Sequence, residues 1–432
     1  MNILLTITLT FIFSITSLAD DFDKQKPDDL SDASWASLKS AVQQAKLLPE
    51  PVGIGGENSQ FGRSVSVDGN RALVGGPNMI DSGVVYVLDY DGISWQKTAI
   101  LQSTDAERFD EFGISVSLSG DRALVGARGD DDNGYGTGSA YVFDYDGMNW
   151  TQSAKLRASD GTMEDQFGWS VSLSGDRALV GAYRDSDNGS SSGSAYVFDY
   201  DGMNWSQSQK LTASDGAKDD FFGHSVSLSG DRVLVSASGD DDNGSSSGSA
   251  YVFDYDGMSW SQSAKLVASD GATSDGFSSS VSLSGDRVLV SAGGDDDNGF
   301  DSGSAYVFDY DGMNWNQSAK LVATDGASYD YFGSSVSLSG DRALMGALGH
   351  YLDSGSAYVF DYDGLNWTQS AKLTQDNVVV ADYFGVSVSL SGNRALVGAY
   401  GDDDSGTDSG SAYVYVEDLI FQHGFEAGST NL

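Results

Sequence analysis

Apolar and polar residues alternate along most of the chain in short runs that end at glycine and aspartate. The run Ser170–Ser174 reads SVSLS, and its period of two predicts a strand. Three further β-branched or aromatic runs follow it, at Arg177–Ala182, Ser194–Tyr200 and Trp205–Leu211. The Gly-Asp and Asp-Gly pairs between these runs are typical of tight hairpins. The pattern therefore predicts a unit of four antiparallel strands.

This four-strand unit recurs along the chain, each time behind a phenylalanine that glycine follows in all copies but one. The openings are Phe61, Phe112, Phe167, Phe222, Phe277 (followed by Ser278), Phe332 and Phe384, at steps of 51, 55, 55, 55, 55 and 52 residues. A fixed period of about 50 residues with four strands per unit is typical of propeller blades. We therefore predict an all-β fold, a seven-bladed β-propeller of four-stranded antiparallel blades.

The fourth strand of the last copy is missing from its expected place in the sequence. After Tyr413 the chain reaches Asp418 without a Trp…Lys-Leu segment, whereas Ala45-Lys46-Leu47, a tripeptide of the fourth-strand type, precedes the first Phe-Gly. We predict that Ala45–Leu48 completes the seventh blade as its outer strand. Such a join closes the ring and removes an exposed strand edge.

The ends of the chain depart from the repeat. Residues 1–19 are apolar and uncharged and finish Ser17-Leu18-Ala19, which predicts a signal peptide; an uncleaved anchor helix is the alternative. Residues 20–44 read as an acidic leader with a short helix over Ala33–Gln44, residues 45–417 as the propeller, and residues 418–432 as a tail. The expected location is extracellular, at the cell surface or periplasmic.

The composition of the chain excludes several classes of binding partner and of chemistry. The chain has 432 residues and carries Lys+Arg 23 against Asp+Glu 63, a net charge of −40. This charge argues against nucleic acid and anionic membrane surfaces, both polyanions. Cysteine is absent, which excludes disulfides, a thiol nucleophile and a thiolate metal site. We expect a monomeric propeller without a membrane span in the mature chain, and a protein or glycan at the cell surface as its partner.

The repeated letters resemble a known family. The Phe-Gly opening, the SVSLSGDRALVGA segment and the SGSAYVF segment are similar to the FG-GAP repeat of integrin α-subunit propellers and exported bacterial proteins. The resemblance covers about residues 45–417. It implies a seven-bladed propeller, an exterior location, and adhesion or ligand binding rather than catalysis. The family's calcium loop between the first two strands is replaced here by Ser-Gly-Asp-Arg, so that site does not transfer.

The loops between the second and third strands are a separate candidate for calcium. They alternate Asp with other residues before a glycine, and their candidate ligands are Asp130, Asp132, Asp185, Asp187, Asp240, Asp242, Asp295, Asp297, Asp402 and Asp404. Calcium takes six to eight oxygens, which such turns present on one side. The alternative is a solvated Asx-turn, in which each aspartate bonds its own backbone. Calcium is thus an optional cofactor, and no other cofactor is expected.

Ligand binding is best sought where the copies differ. The residue after each Phe-Gly changes in nearly every copy, and we expect these positions to surround the central mouth of the face that carries the long loops. The residues after the second strand also vary. The candidate ligand-binding residues are Arg63, Trp169, His224, Arg128, Tyr183, Arg184, His350, Tyr351 and Tyr400.

Three functions follow in order of preference. The first is an exported, non-catalytic binding or adhesion propeller, and the second a calcium-stabilised structural or matrix protein without a discrete ligand. The third is a propeller hydrolase, although no nucleophile elbow, metal-ligand histidine pair or phosphate loop occurs in the sequence.

Overall fold

A computed structural model describes residues 42–49, 57–376 and 379–416. These residues form seven sheets of four strands each, and every pairing within a sheet is antiparallel. No helix in these ranges is long and apolar enough to cross a membrane. The predicted signal peptide, most of the acidic leader and the C-terminal tail lie outside the described residues.

The strands follow one another from the inside of each blade to the outside. Blade one contains β2 (Ser64–Asp68), β3 (Arg71–Gly76), β4 (Val84–Tyr90) and β5 (Trp95–Leu101). Blade two contains β6 (Ser115–Ser119), β7 (Arg122–Ala127), β8 (Ser139–Tyr145) and β9 (Trp150–Leu156). Blade three contains β10 (Ser170–Ser174), β11 (Arg177–Ala182), β12 (Ser194–Tyr200) and β13 (Trp205–Leu211), as predicted.

The later blades repeat this order. Blade four contains β14 (Phe222–Ser229), β15 (Arg232–Ala237), β16 (Ser249–Tyr255) and β17 (Trp260–Leu266). Blade five contains β18 (Phe277–Ser284), β19 (Arg287–Ala292), β20 (Ser304–Tyr310) and β21 (Trp315–Leu321). Blade six contains β22 (Phe332–Ser339), β23 (Arg342–Ala347), β24 (Ser356–Tyr362) and β25 (Trp367–Leu373). One helical turn lies in each of two second-to-third loops, Met79–Asp81 (3-10) and α1 (His350–Asp353).

The seventh blade confirms the predicted closure. It combines β26 (Ser387–Ser391), β27 (Arg394–Ala399) and β28 (Ser411–Val416) with the N-terminal strand β1 (Val42–Leu47), which pairs with β28. The strand begins earlier than predicted, so residues 42–44, assigned above to a helix, are extended. The helical spacing was misleading there because pairing with the open edge of β28 satisfies backbone groups that an isolated short helix leaves partly unpaired.

The hydrophobic core lies between neighbouring blades. Phe222 is fully buried and packs edge-on against Tyr251 of its own blade, with 5.6 Å between ring centroids. The same cluster contains Leu179 and Val197 of the preceding blade. The glycine after each phenylalanine is required by close approach, since a Cβ on Gly223 would lie 2.4 Å from the Ser194 carbonyl oxygen. At the exception, the Ser278 hydroxyl instead donates to the equivalent carbonyl, that of Ser249.

Serines of the innermost strands connect the blades around the axis. The Ser117 hydroxyl accepts the Leu173 N–H of the next blade at 3.0 Å, and Ser172 accepts the Leu228 N–H at the same distance. The series closes where Ser389 accepts the Val67 N–H at 2.9 Å. The small serine side chains therefore suit innermost strands that lie close together around the axis.

The repeated arginine links blades on the face with the short hairpins. Arg177 Nε lies 2.7 Å from Asp199 of its own blade, and Nη1 lies 2.9 Å from Asp231 of the next. Its guanidinium also stacks over Tyr255, 4.5 Å from the ring centroid. At the closing joint Arg394 reaches Asn70 at 2.8 Å. These arginines therefore have a structural role, since they join neighbouring blades.

Candidate functional site

The variable positions converge on one cavity at the central mouth of the long-loop face. Its volume is about 380 Å³, and it is lined by Arg63, Ile114, Trp169, His224, Ser334, Leu348, Val386 and Tyr400. Six of these residues directly follow a Phe-Gly pair. The seventh such position, Ser279, contributes its carbonyl oxygen 3.3 Å from His224 Nδ1. The geometric prediction of a ring around the mouth is therefore confirmed.

Aromatic rings pack against one another on one side of the mouth. Trp169 lies 4.7 Å from Tyr183 and 5.5 Å from His224 between ring centroids. Arg128 stacks over Trp169 at 4.5 Å and pairs with Glu111. Burial lowers the pKa of His224, so its ring is neutral at pH 7. The rings are held by neighbours and can present fixed faces to a ligand.

Tyr400 carries the opposite side of the mouth. It stacks on Tyr383, with 5.0 Å between centroids and 12° between planes, and Arg63 Cζ lies 5.7 Å from the centre of its ring. Tyr383 and Leu348 were not among the predicted residues. Both belong to loops that the packing of neighbouring blades places near the mouth. The sequence showed only that positions close to them vary between copies.

The remaining candidates lie farther out. Arg128 and Arg184 line a cleft of about 390 Å³ between blades two and three, beside the exposed Phe109 and Tyr135. His350 is not part of the mouth: its Nδ1 lies 2.9 Å from Asp330, and its Nε2 lies 2.8 Å from Lys372 Nζ. The side chain of Tyr351 lies outside the described residues.

The predicted acidic loops bring carboxylates together, and each group surrounds a lysine ammonium. In blade two, Lys155 Nζ lies 2.7 Å from Asp105, 2.6 Å from Asp130 and 2.6 Å from Asp132. An ammonium has three donors, so each carboxylate takes one. We call each such group an ammonium cluster. In the four complete clusters the distances are 2.5 to 3.0 Å, and the members are Lys155 with Asp105, Asp130 and Asp132; Lys210 with Asp160, Asp185 and Asp187; Lys265 with Asp215, Asp240 and Asp242; and Lys320 with Asp270, Asp295 and Asp297.

The aspartates of the ammonium clusters form Asx-turns and also gather their carboxylates around a cation, so features of both predicted alternatives are present. Asp185 accepts the backbone N–H of Asp187 at 3.1 Å, as an Asx-turn does. Its other oxygen lies 2.9 Å from the Tyr196 hydroxyl and 3.0 Å from Lys210 Nζ. Burial alone would lower the pKa of Lys210, but hydrogen bonds to its carboxylates outweigh it and raise that pKa. The carboxylates form groups that could hold a metal ion, and any such ion would compete with the resident ammonium.

The blades at the ends of the repeat show how the cluster changes. In blade seven, Lys46 of β1 reaches Asp402 and Asp404, both at 2.6 Å. In blade six, His350 takes the place of the loop aspartate. In blade one, Ile100 stands opposite Tyr86 where other blades have the lysine, and the buried Met79 occupies the loop. Blade six keeps its lysine, since Lys372 lies 2.6 Å from Asp325, so only the loop carboxylates are replaced there.

A second set of aspartates is buried ahead of each later Phe-Gly. Asp110 Oδ2 accepts the Glu107 N–H at 2.7 Å, and Asp165, Asp220, Asp275 and Asp330 make the same contact in the later blades. Burial raises the pKa of Asp110 to about 6 and that of Asp382 to about 6. In the folded chain these two carboxyl groups therefore take up protons as the pH falls through about 6, well above the ordinary range for aspartate.

Acidification from pH 7 to about pH 5 should raise the melting temperature. A folded pKa of about 6 against an ordinary 3.8 means that the native state binds more protons between these values. Stability from these groups then increases as pH falls through 6, by roughly 3 kcal/mol per carboxyl at most. The lowered pKa values of Asp295 and Asp402 act in the opposite direction only below about pH 4. Calorimetry across pH 3–8 should show the maximum between pH 4 and 6, and Asp110→Asn should flatten that rise; a maximum at neutral pH would contradict the assignment.

The fold and mouth define a seven-bladed repeat propeller with a variable central site. Six segments match the FG-GAP repeat family, at residues 95–143, 150–198, 205–253, 260–308, 315–360 and 367–415, which together span more than half of the chain. The chain belongs to the FG-GAP repeat family. Each segment runs from the fourth strand of one blade to the third strand of the next, the same offset that the N-terminal closure requires.

Two further comparisons complete this result. A search of curated proteins finds no match. Among solved structures, a chain of the "Crystal Structure of Mitotic Checkpoint Complex" is similar with a TM-score of 0.54 and 14% sequence identity, covering 96% of this chain and 99% of that one. At this identity the similarity concerns the propeller fold alone.

Proposed function

We propose that the protein is an exported, non-catalytic binding or adhesion propeller that contacts a protein or glycan at its long-loop face. The observation that carries this proposal is the contrast between copies at the mouth. The residues flanking each variable position barely change, whereas the variable side chains, among them Arg63, Trp169 and His224, share one cavity. Diversification confined to converging positions on a rigid scaffold is typical of binding sites.

The mouth also offers little to a hydrolytic mechanism. Its described lining contains one histidine, His224, and no carboxylate. His224 Nδ1 faces the Ser279 carbonyl oxygen, and no described carboxylate orients the ring as a general base requires. These features support binding over the hydrolase alternative.

The proposal is tested by capture on an array of glycans and cell-surface extracts with the chain from residue 20. Replacing Trp169 and Tyr400 together by alanine should reduce capture at least tenfold, because aromatic anchors dominate such sites. The matched control replaces Met203 and Met258, two highly exposed apolar side chains of the hairpin face, by alanine. Equal losses in both variants, or a loss only in the control, would move the site away from the mouth.

A calcium-stabilised matrix protein is the second candidate, since three of the ammonium clusters have carboxylate oxygens within 4.8 Å of one another. Melting in calcium and in chelator separates the two functions. The melting temperature of a protein that depends on calcium for stability should fall by several degrees in chelator. A melting temperature that does not respond to calcium, together with a ligand captured on the array, favours the binding propeller.

A further inference from the structure

The arginines outside the repeated hairpin position are concentrated on one part of the molecule. The chain has twelve arginines, of which seven occupy the repeated position. The other five all lie between residues 63 and 184, in blades one to three and the loops between them: Arg63, Arg108, Arg128, Arg157 and Arg184. Three of these five are paired with carboxylates: Arg108 with Asp81, Arg128 with Glu111 and Arg157 with Asp132.

Arg63 lines the mouth and has no carboxylate partner among the described residues. Its guanidinium lies against the Tyr400 ring, and no described side chain accepts a hydrogen bond from it. The nearby Glu111 is already paired with Arg128, and His224 is neutral. Arginine keeps its charge even when burial lowers its pKa. The mouth therefore holds one uncompensated positive charge, a costly arrangement that an anion would relieve.

The surroundings of Arg63 narrow the class of anion. Planar guanidinium groups match carboxylates in a two-bond geometry. The rings of Trp169 and Tyr400 line the same cavity, and aromatic faces attract the weakly positive C–H faces of sugar rings. A cavity of about 380 Å³ suits one or two sugar residues. The overall charge of −40 disfavours polyanions, so the best match bears a single carboxylate.

We propose that the central mouth binds the terminal, carboxylate-bearing sugar of an otherwise neutral glycan, with Arg63 as the partner of the carboxylate. This inference rests on the proposed binding function and specifies its ligand. Trp169 and Tyr400 hold the sugar ring from opposite sides of the cavity, and Arg63 selects the acidic sugar over its neutral counterpart.

The test measures binding by calorimetry with four probes at 50 mM NaCl. Two are acidic, sialyllactose and a disaccharide ending in glucuronic acid; two are neutral counterparts, lactose and the glucose-terminated disaccharide of the same linkage. We expect at least one acidic probe to bind at least tenfold more tightly than its neutral counterpart, and to weaken at 500 mM NaCl. Failure of both acidic probes to bind, or equal binding of the acidic and neutral probes in both pairs, overturns the inference.

Substitutions of Arg63 test whether this residue binds the carboxylate of the sugar. Arg63→Gln should remove the preference for the acidic probe and leave the melting temperature unchanged or raised, because no described partner loses a hydrogen bond. Lys218→Gln is the matched control, since it removes the same charge from an exposed side chain of the long-loop face. If Arg63→Gln does not fold, Arg63→Lys keeps the charge but not the two-bond geometry and should lose part of the preference. An unchanged preference in either Arg63 variant overturns the assignment.

Two further outcomes separate this inference from the proposed function. A capped tripeptide with one glutamate that binds while both acidic sugars fail would identify a peptide ligand and overturn the inference. Array capture that depends on Trp169 and Tyr400 but not on Arg63 would do the same, and it would leave the binding propeller intact.

Discussion

Removing residues 1–48 should unfold the seventh blade and lower the stability of the whole ring. The deleted segment includes β1, whose five residue pairs with β28 provide backbone hydrogen bonds, and the buried Leu47. At about 1 kcal/mol for each backbone bond and about 2 kcal/mol for the leucine, we expect a loss of roughly 5–7 kcal/mol. It also removes Lys46 from Asp402 and Asp404 and exposes the edge of β28 to other chains.

The matched control is a chain that lacks residues 1–41 and retains β1. It should melt like the chain from residue 20, whereas the longer deletion should melt at a much lower temperature and elute as aggregates in size-exclusion chromatography. A peptide of residues 40–49 added in excess should restore part of the lost stability, because it can pair with β28. Identical melting of the two deletions would show that the closure contributes nothing.

Replacing Lys265 by methionine should destabilise blade four and make it respond to calcium. The ammonium lies 2.8 Å from Asp215, 2.9 Å from Asp240 and 2.5 Å from Asp242, and methionine leaves three adjacent carboxylates without a counter-ion. Removal of one partner from a largely buried ion pair costs about 3–5 kcal/mol, and partial exposure of the lysine favours the lower end. Calcium, which takes carboxylate oxygens, should then recover part of the lost stability.

Blade one provides the control for this variant. Ile100 holds the same register position as Lys265, opposite Tyr86 rather than Tyr251, and Ile100→Met changes no charge. Thermal melting in 5 mM calcium and in chelator should show a calcium-dependent increase for Lys265→Met alone. A Lys265→Met protein that melts like the wild type, or a calcium response equal in both variants, would show that the ammonium does not neutralise the cluster.

The fold could be predicted almost completely because each blade repeats its own local signals. The alternation of apolar and polar residues and the Gly-Asp and Asp-Gly pairs predicted the four strands of each blade. The fourth-strand tripeptide at Ala45-Lys46-Leu47 predicted the closure of the ring. The helix over Ala33–Gln44 was wrong at its end, since residues 42–44 are in β1. Local spacing could not reveal this, because the partner strand begins at Ser411, far away in the sequence.

The candidate site was predicted in part. The residue after Phe-Gly could be placed at the mouth because it occupies the same position in every repeat. The ammonium clusters were missed: the acidic loops and the lysine of the fourth strand were both noted, but not as neighbours. Lys155 and Asp105 are 50 residues apart, and only the packing of consecutive blades brings them together. His350 was placed in the binding set by its variation, which reflects its different role in blade six.

The ring of variable mouth residues has a practical consequence. Each side chain that surrounds the cavity is carried by a separate copy of the unit, and the inter-blade bonds use other residues of that unit. Ligand specificity can therefore be changed by substituting the mouth residue of one blade at a time, and the contacts that hold the blades together stay the same. Randomising Ile114, Ser279, Ser334 and Val386 while keeping every Phe-Gly pair and every inner serine offers a direct route to engineered binders.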